Sequence, residues 1–321
     1  MTTFIIRRLL HGLVVLVLVT ILIFFAMRLL PGDPLLIYLA QQSQQNLRDL
    51  PPEVLEQLRH EFGLDKPLPV QYANWLSGIF KGDLGDSFFY RQSVGKMLLD
   101  RFPVTVYLGI LAMIVSIILG ILSGMLAAIR RGKWVDNIVT PLTYIGVTIP
   151  IFWLGILMIY IFGLKLNLLP IAGFTSPFVD FGLSTKQLIM PVFCESIFGI
   201  ASNARQMRSS MLEVIRQDYI RTAWAKGLRE RVVIFKHAMK NSLIPVITLI
   251  GMGVSFIFGG SVLVETVFAI PGIGRLLVSS IFNHDYLVVQ GITLIIAIVV
   301  LLVNLIVDIS YGWLDPRIRY G

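Results

Sequence analysis

Few residues in this chain have the types and spacing that chemistry needs. The four histidines, His11, His60, His237 and His284, are scattered and unpaired in sequence, and Cys194 is the single cysteine. Metal ligation needs several such donors at close spacing, so no metal site is expected. No G-x-x-x-x-G-K-[S/T] loop is present to cradle ATP phosphates, and neither the G-x-S-x-G elbow nor the H-E-x-x-H pair occurs. No catalytic residue and no cofactor bound by this chain are therefore expected.

The informative pattern lies between Arg208 and Pro245. It reads Arg208-Ser-Ser-Met-Leu-Glu-Val-Ile-Arg-Gln-Asp-Tyr-Ile-Arg-Thr-Ala-Trp-Ala-Lys-Gly-Leu228, followed by a basic amphipathic stretch ending Asn241-Ser-Leu-Ile-Pro245. Asp218–Lys226 is predicted to form a short amphipathic helix that Gly227 stops, with Pro245 ending or kinking a turn further on. Tyr219, Ile220, Ala223 and Trp224 would then make one apolar face exposed at the cytoplasmic surface, rimmed by Arg221, Lys226 and Arg229. Two readings of that face stay open on physical grounds. It is a basic helix lying on anionic lipid headgroups, or a docking face for a protein partner through charge-assisted contacts.

A second group of residues places polarity inside apolar runs. Glu195 lies mid-run, where a charged carboxylate costs roughly 2.5–3.5 kcal/mol on insertion scales. It lines a pathway, pairs with a neighbouring subunit, or is protonated. Asn203, Ser255, Ser261 and Glu265 put polar groups on otherwise apolar helices and join Glu195 as candidate pathway residues. Asp308 is expected to pair with a basic residue such as Arg317. Gly120 with Gly124, Gly251-x-Gly253 and Gly259-Gly260 are small-residue pairs of the kind that let helices approach closely.

The elements that must hold these residues follow from composition. Of 321 residues, 56% are hydrophobic and 14% charged, where soluble domains carry about 25% charge. The mean hydropathy is +0.80, more apolar surface than one soluble core can hide. The chain is read as an all-α integral membrane protein. Runs near the required length of about 20 residues are Leu9–Leu30, Thr105–Ile129, Ile138–Leu164, Gln187–Ala204, Leu243–Leu263 and Leu287–Ser310. The first is too long for a signal-peptide core and has no small-x-small cleavage site after it, so it is read as a retained span. Six transmembrane helices with both termini cytoplasmic put 16 of the 27 lysines and arginines inside, as the positive-inside rule asks.

Three parts result: residues 1–30 as an N-terminal tip and first span, 31–104 as a large external region, and 105–321 as a membrane core with a cytoplasmic helix at about 215–228. The external region carries an amphipathic helix signal at Glu53–Phe62, turn residues at Lys66-Pro67-Leu68-Pro69 and Lys81-Gly82-Asp83-Leu84-Gly85, and aromatic packing residues including Trp75, Phe88 and Tyr90.

Motifs in this order resemble one family. The segment Asp218-Tyr-Ile-Arg-Thr-Ala-x-Ala-Lys-Gly-Leu228 looks like the cytoplasmic signature of the peptide/nickel branch of ABC-importer permeases, with Arg221-Thr222-Ala223 where the wider family has Glu-Ala-Ala. The spacing from Gly227 to Pro245 is also longer than the general pattern, as in that branch. Arg7-Arg8-Leu9, Leu30-Pro31-Gly32-Asp33-Pro34, Gly63-Leu64-Asp65-Lys66-Pro67 with Gln71-Tyr72, and Gly82-Asp83-Leu84-Gly85 with Ser87 are similar to it too. So are Arg101-Phe-Pro-Val-Thr105, Glu265-Thr-Val-Phe268 with Pro271-Gly272-x-Gly274, and Asp315-Pro-Arg-Ile-Arg319.

The resemblance implies a non-catalytic permease subunit in a bacterial inner membrane. It implies a paralogous permease, two ATP-binding subunits that carry ATP and Mg, an external substrate-binding protein and a peptide substrate. Membrane lipid surrounds such a chain, and no nucleic acid is involved. Asp218, Tyr219, Ile220, Arg221, Thr222, Ala223, Trp224, Lys226, Gly227 and Arg229 would then couple it to the ATPase. The same family imports nickel chelates, glutathione or other small solutes. A rival class, the ion-coupled secondary transporter, leads one to expect internal repeats and buried ionisable pairs; no repeat is visible here.

Overall fold

The computed structural model describes residues 6–29, 56, 59–60, 64–253, 259 and 261–307 with their side chains, and the backbone of 2–5, 256–258, 260 and 308–314. Ser255, Arg317, the motifs Leu30–Pro34 and Asp315–Arg319, and most of the Glu53–Phe62 signal lie outside the described residues, as does the side chain of Asp308. Helices carry the described fold; the one strand-like feature among these residues is a single antiparallel bridge between Asp86 and Ser93.

The helices are α1 (Thr2–Leu29), α2 (Leu68–Phe80), α3 (Val94–Ile129), α4 (Trp134–Thr148), α5 (Ile151–Met158), α6 (Phe181–Val214), α7 (Asp218–Ala225), α8 (Met239–Gly253), α9 (Phe256–Val267), α10 (Ile273–Phe282) and α11 (Tyr286–Leu314). A wider π-helical turn, Ile159–Lys165, extends α5, and another, Val233–Ala238, leads into α8 after a single turn at Glu230–Val232.

Four of these stretches are long and apolar enough to cross a membrane: Ile6–Leu29, Val94–Ile129, Glu230–Gly253 and Tyr286–Val307. Two expectations need correction. The third predicted span, Ile138–Leu164, is not one rod, because α4 and the α5 extension meet at a bend of 108°. Pro150 explains the break: it lacks an N–H and drives the residue before it out of the helical region, and Ile149 and Pro150 are both extended at ψ 127° and 128°. The fourth predicted span, Gln187–Ala204, sits within the 34-residue α6. Polar and charged residues such as Glu195, Asn203, Arg205 and Arg208 dilute that helix, so it does not count among the apolar ones. Pro245 lies inside α8 and does not end it.

The chain divides into two compact units. One joins Met1–Val104 to Gly272–Leu305. Its aromatic centre is Phe24, fully buried, edge-on to Tyr72 at 5.2 Å and tilted against Trp75 at 6.2 Å. Met27, Phe88, Tyr286 and Val289 pack together in the same unit. Asp285 ties the turn before α3 to the start of α11, accepting hydrogen bonds from the Ser87 hydroxyl and from the Phe89 N–H. Burial holds the Asp285 carboxyl above its ordinary range against the lowering effect of those bonds. Gly85, at φ +81°, lets the chain turn beside Leu287, whose side chain lies 2.9 Å from where a Cβ would stand.

The other unit holds Thr105–Pro271. Here α3 and α6 cross at the backbone: a Cβ on Gly124 would lie 2.3 Å from the Ala204 carbonyl oxygen, and one on Gly120 2.6 Å from Asn203 Cβ. Gly199 faces Ser116 from the opposite helix at 2.8 Å. The close approach expected of Gly120 and Gly124 is thus realised. Gly253 and Gly259, expected to do the same, have nothing within 4 Å among the described residues.

Candidate functional site

The predicted cytoplasmic helix forms as α7, one residue shorter than expected, with Lys226 as its cap. Asp218 stands in its first turn, where the helix dipole favours an acidic side chain. The end is set by Gly227 at φ +72°. Its N–H donates to the Trp224 carbonyl at 2.9 Å and the Leu228 N–H to the Ala223 carbonyl at 3.4 Å, the two bonds of a Schellman closure. The predicted stop residue therefore works through the left-handed backbone that glycine adopts without strain.

The four apolar residues of α7 do not share one exposed face. Ile220 is fully buried and Ala223 nearly so, whereas Tyr219 and Trp224 are 43% and 45% exposed. At about 100° per residue the four cover an arc of roughly 140°. Ala223 and Ile220 occupy its centre and Tyr219 and Trp224 its edges. The centre is buried in this chain's own core, among Met125 and Ala128 of α3, Met207 and Met211 of α6, and Val233, Ala238 and Val246 beyond. Sequence periodicity finds the arc but cannot tell that the inner half is already taken.

The outward side carries the polar groups. Asp218, Arg221, Thr222, Lys226, Gly227 and Arg229 are all exposed. Arg221 Nη1 lies 3.4 Å from Asp218 Oδ1, an exposed pair of the kind that contributes little to stability. Thr222 donates its hydroxyl to the Asp218 carbonyl, and Asn241 Nδ2 donates to the Tyr219 hydroxyl at 2.7 Å, fixing that ring relative to α8.

A partly buried ion pair holds the helix that leads into α7. Asp136, at the start of α4, accepts from Arg208 Nε and Nη2 at 2.6 and 2.9 Å, from the Gly132 N–H at 2.9 Å and from the Thr140 hydroxyl at 3.0 Å. Both carboxylate oxygens are thus doubly satisfied. Sequence reasoning missed this pair, although a signal exists: Asp136 is the one acidic residue between Arg101 and Asp180.

The candidate pathway residues separate. Glu265 is fully buried and accepts a hydrogen bond from the Thr105 hydroxyl at 2.6 Å. Glu195, on α6, lies near enough to feel the charge of Glu265. Both of its carboxylate oxygens are buried, with no hydrogen-bond partner among the described residues. Asn203 belongs elsewhere on α6, at the crossing with α3, where its Nδ2 donates to the Ser116 carbonyl at 3.4 Å. Ser261 is buried on α9. No group of three His, Cys, Asp or Glu that could hold a metal occurs among the described residues.

Comparison with known proteins places the whole chain. Residues 116–320 match the family described as binding-protein-dependent transport system inner membrane component, and residues 1–109 match the N-terminal family of such membrane components. A putative peptide transport system permease protein of Brucella abortus (strain 2308) is 42% identical over 321 residues, covering 100% of both chains. A probable peptide ABC transporter permease protein of Sinorhizobium fredii is 39% identical, again over 100% of both. The di/tripeptide transport system permease protein DppB of Pseudomonas aeruginosa (strain UCBPP-PA14) is 38% identical over 94% of each chain. With its four long apolar helices and these matches end to end, the chain belongs to the inner membrane components of binding-protein-dependent transport systems.

Proposed function

We propose that this chain is the translocation subunit of an ATP-driven importer of di- or oligopeptides. It conducts the substrate unmodified while ATP and Mg are handled by two separate ATP-binding subunits. A paralogous permease completes the pathway, and an external binding protein delivers peptide to the external side. In this reading six hydrophobic elements cross the membrane with both termini cytoplasmic, counting the bent α4–α5 pair and α6 as one crossing each. The relatives' names supply the peptide class.

One observation carries the coupling role: α7 has a buried centre, Ile220 and Ala223, flanked on both sides by the exposed Tyr219 and Trp224. Tyr219 and Trp224 project outward for an ATPase cleft to grip, while Ile220 and Ala223 are rooted among Met207, Met211 and Met125. A push on the outer pair therefore moves side chains of α6 and α3 directly, because a close-packed core transmits displacement rather than absorbing it. Arg221, Lys226 and Arg229 lie beside the outer pair and supply charge-assisted contacts to the ATPase rim. ATPase closure would tilt the attached helices, a rigid-body form of alternating access.

The experiment is reconstitution of the complex with Tyr219→Glu and Trp224→Glu. Peptide uptake should fall to background while the subunit still inserts in the membrane and ATP hydrolysis no longer responds to the binding protein. Undiminished uptake would overturn the coupling assignment. Unchanged ATPase coupling together with weaker binding to anionic vesicles would mean that the helix serves the lipid surface instead.

A further inference from the structure

A cavity of about 200 Å³ lies within the unit formed by Met1–Val104 and Gly272–Leu305. Its lining includes Arg28, Gln71, Trp75, Asp83, Tyr286 and Gln290. The transport reading uses none of these side chains.

Arg28 is the unusual member. It stands in the last turn of α1, one residue before the end of an apolar span, and is half-buried. Its hydrogen bonds go only to neutral acceptors. Nη2 and Nε donate to Gln71 Oε1 at 2.8 and 3.2 Å, and Nη1 donates to the Phe24 carbonyl at 3.3 Å. The guanidinium also lies 3.5 Å over the Phe24 ring and 5.8 Å from that of Tyr286. No carboxylate pairs with it among the described residues. A cation withdrawn from water is costly unless its charge is met, and among the described residues the guanidinium makes no direct ion pair, so the site suits an anionic group of a ligand.

The other groups around the cavity fit that demand and refine it. Trp75 and Gln290 each carry a buried N–H group without an acceptor among the described residues, Trp75 Nε1 and Gln290 Nε2. These are donors, as an oxyanion requires. Asp83 is exposed at the cavity and carries the opposite charge, with one carboxylate oxygen held by the Gly85 N–H. A ligand with a phosphate toward Arg28 and an ammonium toward Asp83 matches both charges.

Depth and size identify the source. Arg28 sits at the end of the apolar span Ile6–Leu29, the position from which a long basic side chain reaches the headgroup level. Leu22, Phe25 and Leu29 on the same end of α1 are exposed and offer acyl chains an apolar track. The cavity is smaller than the roughly 300–1,000 Å³ of a typical small-molecule pocket, which suits a headgroup better than a whole solute.

We propose that this cavity binds the headgroup of a zwitterionic phospholipid of the phosphatidylethanolamine class, its phosphate held by Arg28 and its ammonium by Asp83. The site works as a lipid anchor at the end of the first span. The proposal does not depend on the peptide reading.

The test is native mass spectrometry of the purified complex, delipidated and then titrated with phosphatidylethanolamine or phosphatidylglycerol. Wild type should retain phosphatidylethanolamine in preference. Arg28→Gln should weaken that binding by about tenfold to a hundredfold, the factor expected when a hydrogen bond to a charged group is lost. Asp83→Asn should erase the preference for the ethanolamine lipid while phosphate-headgroup binding remains. Melting in lipid-free detergent controls for misfolding: the Arg28→Gln complex should melt like wild type there, yet lose the upward shift that phosphatidylethanolamine gives wild type. Equal lipid retention by wild type and Arg28→Gln would overturn the proposal. So would displacement of the lipid by inorganic phosphate at matched concentration, which would make this a soluble-anion site.

Discussion

Arg208 donates to both carboxylate oxygens of Asp136, Nε to Oδ1 at 2.6 Å and Nη2 to Oδ2 at 2.9 Å, and so fastens the far end of α6 to the start of α4. Only five residues lie between Val214, the last residue of α6, and the buried Ile220. The pair is bidentate and Asp136 is almost fully buried, which places it among the stronger charge-assisted contacts.

Asp136→Ala removes the shared acceptor of Arg208, Gly132 and Thr140 at once. Breaking a buried pair from one side costs roughly 3–5 kcal/mol, and the partial exposure of Arg208 puts the expected loss near the lower end. Thermal melting of the detergent-solubilised complex checks it. Arg208→Lys should recover only part of the loss, because an ammonium cannot reproduce the fork.

The buried centre of α7 and its exposed flank should respond differently to truncation. Ile220→Ala opens a cavity in the core shared with Met207 and Met211, and a loss of about 2–5 kcal/mol is expected. Trp224→Ala removes a side chain that is 45% exposed and should leave melting nearly unchanged while lowering peptide uptake. Parallel melting and uptake assays on the two variants read the difference directly.

Gly124→Ala should be poorly tolerated. The added carbon would lie 2.3 Å from a backbone carbonyl oxygen of Ala204, which no rotamer change can relieve. Forcing α3 and α6 apart is expected to cost at least about 1–3 kcal/mol, the usual price of overpacking. Gly253→Ala, with open space around it in this chain, serves as the comparison. A destabilised Gly253→Ala in the isolated chain, with Gly124→Ala unaffected, would contradict this packing.

Asp285 makes part of the stability pH-dependent. Burial raises its carboxyl above the ordinary 3.8 in the folded chain, so the folded state binds its proton more tightly than the unfolded state does. The stability this contributes is full below about pH 3.8 and is lost as pH rises through the higher folded value. Asp285→Asn keeps an oxygen that can accept from Ser87 but cannot titrate. The melting difference between wild type and this variant should therefore shift against wild type as pH rises from the ordinary carboxylate range through the raised folded value. A difference that stays constant over that range would exclude a raised carboxyl.

Much of this protein is legible from composition and local pattern. An excess of apolar residues forces the chain into a membrane, and runs of about 20 of them locate α1, α3 and α11, because the hydrocarbon thickness sets their length. The helix α7 and its stop at Gly227 follow from local periodicity and from the left-handed conformation glycine permits. Family membership is legible because short motifs survive in order. What those motifs do for each other is decided in three dimensions: Thr105 and Glu265, from two separate motifs, share a hydrogen bond, and Ser87 finds Asp285 nearly 200 residues along the chain. The bend at Pro150, the pairing of Asp136 with Arg208, the burial of Ile220 beside an exposed Trp224, and the seating of Arg28 against Gln71 and the Phe24 ring likewise depend on which surfaces meet. Hydropathy counts residues along a line, whereas burial and charge compensation are properties of neighbours, and only the packed helices determine who those neighbours are.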